Sequence, residues 1–332
     1  MAQVLRSLWV KQGTLSLPGT SVPFWGFATS FAGAPRLPGP VIEATVRDTV
    51  IVVLRNCSIL IPASLIFPGQ HNVRAMRPGS GWRRAAPQYS GGEMISLTDF
   101  LGPDSTGRIR YRFTATRPGV HLYESGTNPE NQVQMGLYGV LIVRPMGHDI
   151  PYTPNYRTAY GAGTGSRFDV EHLLVLGEVD SQMHAALGQG GGYDTLRFAP
   201  DYWMINGRCY PDTIKADNDP ALPSQPYGSA ITARVGQRLL LRLVNAGFLP
   251  NTMHFGGLVG RVVGTDGFAL RSRDADGTYE KAAVTLGPGQ TFDVLLRPQN
   301  TGVYYLRARE YNHVVNNDTF PGGMMTRLTV TT

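Results

Sequence analysis

The feature of this sequence that most constrains its fold is an internal repeat. Residues 42–56 (IEATVRDTVIVVLRN) recur as residues 231–245 (ITARVGQRLLLRLVN), so that Ile42, Val46, Leu54 and Asn56 are each matched by an identical residue 189 positions later. A second match relates residues 118–123 (PGVHLY) to residues 301–306 (TGVYYL), at a spacing of 183. Because both matches occur in the same order in each half, the sequence predicts one structural unit that is used twice.

The repeated segments have the composition of β-strands. β-Branched residues form short runs, and Pro-Gly, Gly-Pro and Asn-Pro dipeptides separate them. Helical periodicity is nearly absent, and residues 180–187 are the best short helical candidate. With 40 Gly, 24 Pro and 42% hydrophobic residues, the 332-residue chain is turn-rich but neither disordered nor collagen-like. We predict an all-β protein of two tandem Greek-key β-sandwich domains, residues 1–150 and 165–332.

Charge and hydropathy exclude several classes of protein. The net charge is +6, but only 16% of residues are charged, and the arginines are scattered singly. We find no basic run and no nucleic-acid-binding motif, so we expect no nucleic-acid partner. The chain contains no stretch of 18 apolar residues, so we predict no membrane-spanning segment. Residues 1–10 alternate like a strand and do not have the pattern of a signal peptide. For Cys57 and Cys209, two unrelated buried thiols are favoured over a disulfide.

Five segments of the chain carry recognisable motifs: LPGPVIEATVRDTVIVVLRN (37–56), GVHLYESGTNPENQVQMGLYGVLIV (119–143), MINGRCYPDT (204–213), LVNAGFLPNTMHFGGLVGRVVGTDG (243–267) and FPGGMMT (320–326). Together they resemble the multicopper oxidase family, which is built from repeated cupredoxin domains. The segments are spread from residue 37 to residue 326 and follow the order that the family has them in. The resemblance implies two cupredoxin-like domains and an extracellular or periplasmic location.

The resemblance does not extend to the family's copper ligands in the first half of the chain. Family members hold copper with imidazole and thiolate, because Cu(I)/Cu(II) cycling requires soft sulfur and borderline nitrogen ligands. Two His-x-His pairs are expected here by resemblance. Their positions hold Ile66 and Pro68 in the first pair, and Glu124 and Gly126 in the second.

The second half keeps only two of the family's imidazoles. The pattern His-x-x-His-x-His reads Asn251, His254 and Gly256 at its three ligand positions. The terminal pattern His-Cys-His-x-x-x-His reads Arg307, Ala308, Arg309 and His313, so that alanine stands where a blue copper site has its thiolate. We therefore expect no copper cofactor in the family's positions.

Two remnant metal sites are the alternatives to complete loss of copper. His254 and His313 form the better candidate, with Glu310 or Asp318 as an additional ligand. His71 and Met76 could form a second site in a loop. A lone histidine in a β-sandwich is more often a hydrogen-bonded packing residue, which favours the absence of metal at both.

Charged residues now stand at several of the former ligand positions. Glu124 and Arg307 are equivalent in the repeat, and Gly126 is equivalent to Arg309. In the family these segments face one another across the copper cluster. One hypothesis is that Arg307 and Arg309 oppose Glu124, so that a charge pair replaces the metal; the other is that all three reach solvent. Glu124 and the pair Glu178/Asp180 are also the carboxylates considered for acid–base chemistry.

The sequence keeps the β-sandwich pattern but lacks the family's copper ligands, which favours a structural function. We expect a catalytically degenerate multicopper-oxidase-like protein, acting as an assembly subunit of a secreted or surface oligomer, either with itself or in a larger assembly. The alternative is a copper-dependent oxidoreductase with non-standard or partner-supplied ligands. A third hypothesis is a binding module whose emptied cavity holds a small molecule.

Overall fold

The computed structural model describes residues 2–56, 59, 61–103 and 107–332. In the first half the strands are β1 (Gln3–Leu17), β2 (Thr20–Ala28), β3 (Ile42–Thr45), β4 (Thr49–Asn56), β5 (Ala63–Ser64), β6 (Arg74–Met76), β7 (Arg83–Arg84), β8 (Gln88–Ser90), β9 (Glu93–Ser96), β10 (Phe100–Leu101), β11 (Ile109–Thr114), β12 (Gly119–Glu124) and β13 (Tyr138–Arg144). Helix α1 (Pro129–Gln132) lies between β12 and β13.

The second half is also dominated by strands. They are β14 (Val170–Val179), β15 (Tyr202–Ile205), β16 (Ile231–Arg234), β17 (Leu239–Asn245), β18 (Asn251–His254), β19 (Gly260–Thr265), β20 (Phe268–Ala269), β21 (Tyr279–Lys281), β22 (Ala283–Leu286), β23 (Thr291–Leu296), β24 (Gly302–Ala308) and β25 (Met325–Thr331). Helix α2 (Ser181–Gly188) follows β14, and 3₁₀ turns span Thr195–Arg197, Asp212–Ile214 and Tyr311–His313.

The two halves have matching sheet topologies. In the first, a six-stranded sheet β2-β1-β4-β11-β6-β7 is accompanied by the three-stranded sheet β12-β13-β3. In the second, the order β15-β14-β17-β23-β19-β20, with β21 paired to β19, is accompanied by β16-β25-β24-β18-β22. The short strand pairs β5/β10 and β8/β9 lie outside these sheets.

Strand pairing repeats at the positions that the sequence repeat marks. β1 pairs parallel with β4 as β14 does with β17, and β3 pairs parallel with β13 as β16 does with β25. The repeated asparagines also have the same function. Asn56 donates its side-chain amide to the carbonyls of Ile61 and Gly102, and Asn245 donates to those of Leu249 and Leu286. The internal repeat is therefore a structural repeat.

Each half has its own apolar core. Alternate residues of β4 and β11, such as Val52 and Tyr111, point into the first core, and Leu241 and Val294 of the second half occupy the equivalent positions in the second. A third apolar cluster joins the halves, because Val120 and Leu122 on β12 pack with Val175 and Val244 on β14 and β17. Packing of sheet against sheet thus connects the two halves within one chain.

The all-β fold class is confirmed, and α2 forms where the only helical pattern was recognised, with the Asp180 carboxylate capping its first turn. This structural function also accounts for Asp180 without acid–base chemistry. The domain limits 1–150 and 165–332 stay a prediction. Cys57 lies outside the described residues, whereas Cys209 is a buried free thiol. Among the described residues no helix is long and apolar enough to cross a membrane.

Candidate functional site

His313 is held in the second core by Asn251, and both residues stand at positions that the resemblance aligns with the family's copper ligands. The His313 Nδ1 atom lies 3.0 Å from Asn251 Oδ1, and both side chains are buried. The Asn251 amide nitrogen donates to Asn245 Oδ1 and to the Leu249 carbonyl, so its oxygen faces the imidazole and accepts from Nδ1. Trp203 stacks on the ring at 4.7 Å. Burial lowers the pKa of His313, and the neutral ring is fixed by hydrogen bonding and stacking.

His254 lies on the other face of β18. Asn251 and Met253 are buried, while Thr252 and His254 alternate with them and are half-buried. Asn251 and His254 are three positions apart, so their side chains point to opposite faces of β18. His254 is therefore separated from His313, which binds Asn251. The two histidines considered as a remnant metal site are therefore not brought together.

The other residues considered as metal ligands are also dispersed. The Glu310 carboxylate accepts the backbone N–H of Thr252 at 3.1 Å, and Asp318 is exposed. His71 and Met76 line two different clefts. Across the part of the chain that the structure describes, no group of three or more His, Cys, Asp or Glu could hold a metal ion. The residues at these positions do not fit a copper centre, and Ala308, at the thiolate position, is buried in the second core.

The positions that the resemblance aligns with ligands in the first half differ in burial. Ile66 and Glu124 pair as an antiparallel bridge, with backbone N···O distances of 2.8 and 3.2 Å. Gly126 is buried, and a Cβ atom there would contact Ile66, whereas Pro68 is exposed. Burial raises the pKa of Glu124. Its carboxylate makes no hydrogen bond or ion pair with any described residue.

Two cations occupy the corresponding surface of the second half. Arg307 lies opposite His254 in the strand pairing and stacks 5.1 Å from the Tyr311 ring, and Arg309 is exposed. Burial, followed by these two arginines, lowers the pKa of His254. Neither arginine has a carboxylate within 4 Å among the described residues. The hypothesised pair of Glu124 with Arg307 and Arg309 is therefore not formed within one chain. Gly256, at the third ligand position of this segment, has φ +67° beside the Tyr305 backbone.

Sequence reasoning missed a buried hydrogen-bond network beneath Glu124. Ser125 donates to the Gln132 side chain at 2.6 Å, and Thr127 donates to Ser64 at 2.8 Å. Ser96 lies 2.9 Å from the Thr127 hydroxyl. These small polar residues have no periodicity that would mark them as a group, because their segments meet only in the folded chain.

Glu178 is a buried carboxyl group between the two halves. Its Oε1 accepts the backbone N–H of Phe248 and lies 3.4 Å from Gln134 Nε2, while Oε2 has no hydrogen-bond partner. Burial raises the pKa of Glu178 to about 7. Proximity to Asp180 in the sequence suggested a catalytic pair, but the structure places Glu178 alone at this contact.

A buried ionic network also crosses between the halves. Arg144 donates to Glu171 at 2.6 Å, and Glu171 also accepts from Arg242, whose second nitrogen donates to Asp293 at 2.9 Å. Arg242 and Asp293 are fully buried. Their charges therefore compensate one another within the protein rather than through water.

The fold defines the class of the protein as cupredoxin-like, with two β-sandwich halves. A family model described as "Multicopper oxidase" matches residues 178–330. Laccase-6 of Oryza sativa subsp. japonica is 26% identical over 317 residues, covering 93% of this chain and 47% of that protein. Laccase-5 of Arabidopsis thaliana is 26% identical over 284 residues, covering 84% of this chain and 41% of that protein. These matches support a relationship of the chain to the multicopper oxidase family, and the family model itself covers its second half.

Solved structures confirm the fold over the full length of the chain. A blue copper oxidase from Nitrosomonas europaea superposes with a TM-score of 0.70 at 22% identity, covering 99% of this chain and 86% of that one. A copper nitrite reductase from Nitrosomonas europaea gives 0.67 at 19% identity, covering 99% and 94%. The chain spans less than half the length of the curated laccases named above.

Proposed function

We propose that this protein is a multicopper-oxidase-like assembly subunit that does not use copper at the family's ligand positions. The main support for the proposal is the hydrogen bond from His313 to Asn251, because it joins the side chains at two of those positions. Ala308 removes the thiolate, and Arg307 and Arg309 place positive charge where ligands would stand. The family resemblance supports an extracellular or periplasmic location.

Assembly through the former ligand surfaces would satisfy groups that one chain leaves unpaired. Glu124 is half-buried without a cation, and Arg307 and Arg309 lack a carboxylate. The two surfaces are complementary in charge and belong to different halves, so pairing them between copies gives a head-to-tail contact. Head-to-tail contacts are all satisfied when the copies form a closed ring. By resemblance, two-domain relatives form trimers that bury this region.

The pairing energy provides the test. Removing one partner of a buried ion pair typically costs about 3–5 kcal/mol, because the remaining charge is left uncompensated. Glu124→Ala should therefore shift the oligomer toward monomer in sedimentation velocity. The matched control is Glu130→Ala, which changes an exposed carboxylate on α1 and should leave the distribution unaltered.

A charge exchange distinguishes pairing from a general loss of stability. Glu124→Arg should dissociate the oligomer, and mixing it with Arg307→Glu/Arg309→Glu should restore association between the two variants. A wild-type monomer at micromolar concentration, or equal effects of Glu124→Ala and Glu130→Ala, would contradict the assembly proposal.

A copper-dependent oxidoreductase is the second candidate. It is supported by curated relatives that are named laccases and by the position of His254, whose Nδ1 accepts the Gly256 N–H and whose side chain is half-exposed. Nε2 of that ring could ligate a metal completed by another chain. Oxidation of a phenolic substrate by the copper-loaded oligomer, abolished by His254→Ala, would favour this candidate over the first.

A further inference from the structure

The six-stranded sheet of the first half carries charge of one sign. Its strands β1, β2, β4, β6, β7 and β11 contain no Asp or Glu. Their basic residues are Arg6, Lys11, Arg55, Arg74, Arg83, Arg84, Arg110 and Arg112. This composition belongs to the whole sheet and is not a property of any one segment.

Strand register gathers these scattered arginines on one face. Ile109, Tyr111 and Phe113 point into the core, so Arg110 and Arg112 point outward. Arg112 lies opposite Arg74, and Arg74 lies opposite Arg84 on the next strand. Arg110 is two residues from Arg112, about 7 Å along β11. The face therefore has a row of three arginines with another arginine beside it.

Most of these cations have no counter-charge in the part of the chain that the structure describes. Asp99 pairs with Arg77 at 3.0 Å and with Arg83 at the sheet edge. For Arg55, Arg74, Arg84, Arg110 and Arg112, no carboxylate lies within 4 Å among residues 2–56, 59, 61–103 and 107–332. An outer sheet face with this imbalance attracts anions.

Two tryptophans orient guanidinium groups on this face. Arg112 lies 4.5 Å from the Trp82 ring centroid, and Arg55 lies 4.8 Å from that of Trp9. Arg74 also donates to the Trp82 carbonyl at 2.9 Å. Stacking fixes the plane of a guanidinium group and leaves N–H donors at its edge, which suits paired hydrogen bonds to an oxyanion.

The oriented arginines border two clefts next to β11. The first, of about 380 Å³, is lined by Arg55, Arg77, Arg108 and Arg110 together with Ser80. The second, of about 340 Å³, is lined by Arg74, Arg112 and His71 together with threonines. No described Asp or Glu lines either cleft. Successive positions on one strand thus provide two basic depressions for neighbouring anionic groups.

We propose that this face binds an acidic polysaccharide, a linear polymer of sugar rings that carry carboxylate or sulfate groups. Adjacent basic clefts match the repeated charges of such a polymer, and threonine and serine hydroxyls beside them can bind sugar hydroxyls. Single-stranded nucleic acid fits less well, because bases need open aromatic faces and an arginine covers one face of Trp9 and of Trp82. This surface is separate from the former ligand positions, so the inference does not depend on the proposed assembly.

The test uses heparin oligosaccharides and the intact protein. Isothermal titration calorimetry at 150 mM NaCl should detect binding, and Arg110→Gln/Arg112→Gln should weaken it about tenfold or more, since two charge-assisted contacts are lost. Arg234→Gln/Arg273→Gln removes the same charge at exposed positions of the second half and should change the affinity less than twofold. Equal losses for the two double variants would overturn the assigned face.

Two further measurements keep the test independent of variant folding. Heparin should protect Arg110 and Arg112 of the wild-type protein from phenylglyoxal modification, detected by peptide mass, and should leave Arg234 reactive. Absence of that protection, or of any heparin binding at 150 mM NaCl, would overturn the proposal. Single-stranded DNA of matched charge should bind at least tenfold more weakly, and equal affinity would show that polymer charge alone is recognised.

Discussion

Replacing Glu178 with glutamine tests the contact between the two halves. The side chain is 2% exposed, with Gln134 from the first half and Phe248 from the second as its neighbours. Glutamine has nearly the same shape and retains an oxygen that can accept the Phe248 N–H. Glu178→Gln therefore removes the ionisation of this group while preserving the packing.

The magnitude follows from the pKa values of the carboxyl group. Burial raises the pKa of Glu178 from 4.5 to about 7. The folded state therefore holds a proton that the unfolded state releases, so this group's stabilising contribution is fully present below pH 4.5 and is lost as the pH rises through about 7. Between pH 5 and 8 that loss amounts to about 2.5 kcal/mol of unfolding free energy.

Urea unfolding of wild type and Glu178→Gln at pH 5 and pH 8 measures this loss. Subtracting the two proteins cancels every other titrating group, so Glu178→Gln should gain about 2.5 kcal/mol relative to wild type between the two pH values. Glu130→Gln, at an exposed carboxylate, should show no such change. Parallel pH dependences of wild type and Glu178→Gln, within about 0.5 kcal/mol, would refute the reasoning.

Two other predictions concern stability. Arg242→Ala should lower the unfolding free energy by about 3–5 kcal/mol in urea denaturation, because the fully buried Asp293 would lose its cation; a loss under 1 kcal/mol would contradict this. Asn56→Ala and Asn245→Ala should each cost about 1–3 kcal/mol, since each leaves two backbone carbonyls without a donor. Asn300→Ala, at an exposed loop position, is the control, and a large effect at only one repeated asparagine would contradict the equivalence of the halves.

The strands were predictable because their signals are local. Runs of β-branched and other apolar residues mark β4 and β17, and the Asn56/Asn245 equivalence follows from the fixed spacing of the repeat. The changed ligand positions could likewise be recognised one by one from the family resemblance. What the sequence leaves open is which of these residues meet after folding.

The arrangement of side chains depended on pleat and register. His254 and His313 looked like partners, yet the alternation of β18 places them apart. Arg74 and Arg112 are 38 positions apart, and only the register of β6 with β11 makes them neighbours. Glu178 looked like a possible partner of Asp180, whereas its environment is set by chain segments from both halves. Long-range pairing of this kind has no local sequence signal.

Copper content after loading tests the central claim most directly. The protein, purified, incubated with excess copper salt and passed through a desalting column, should retain far less than one copper per chain by elemental analysis. His254→Ala and His313→Ala should not change that value, because neither imidazole belongs to a ligand set. About one copper per chain in the wild type, lost in either variant, would contradict the account and make the oxidoreductase candidate the better one.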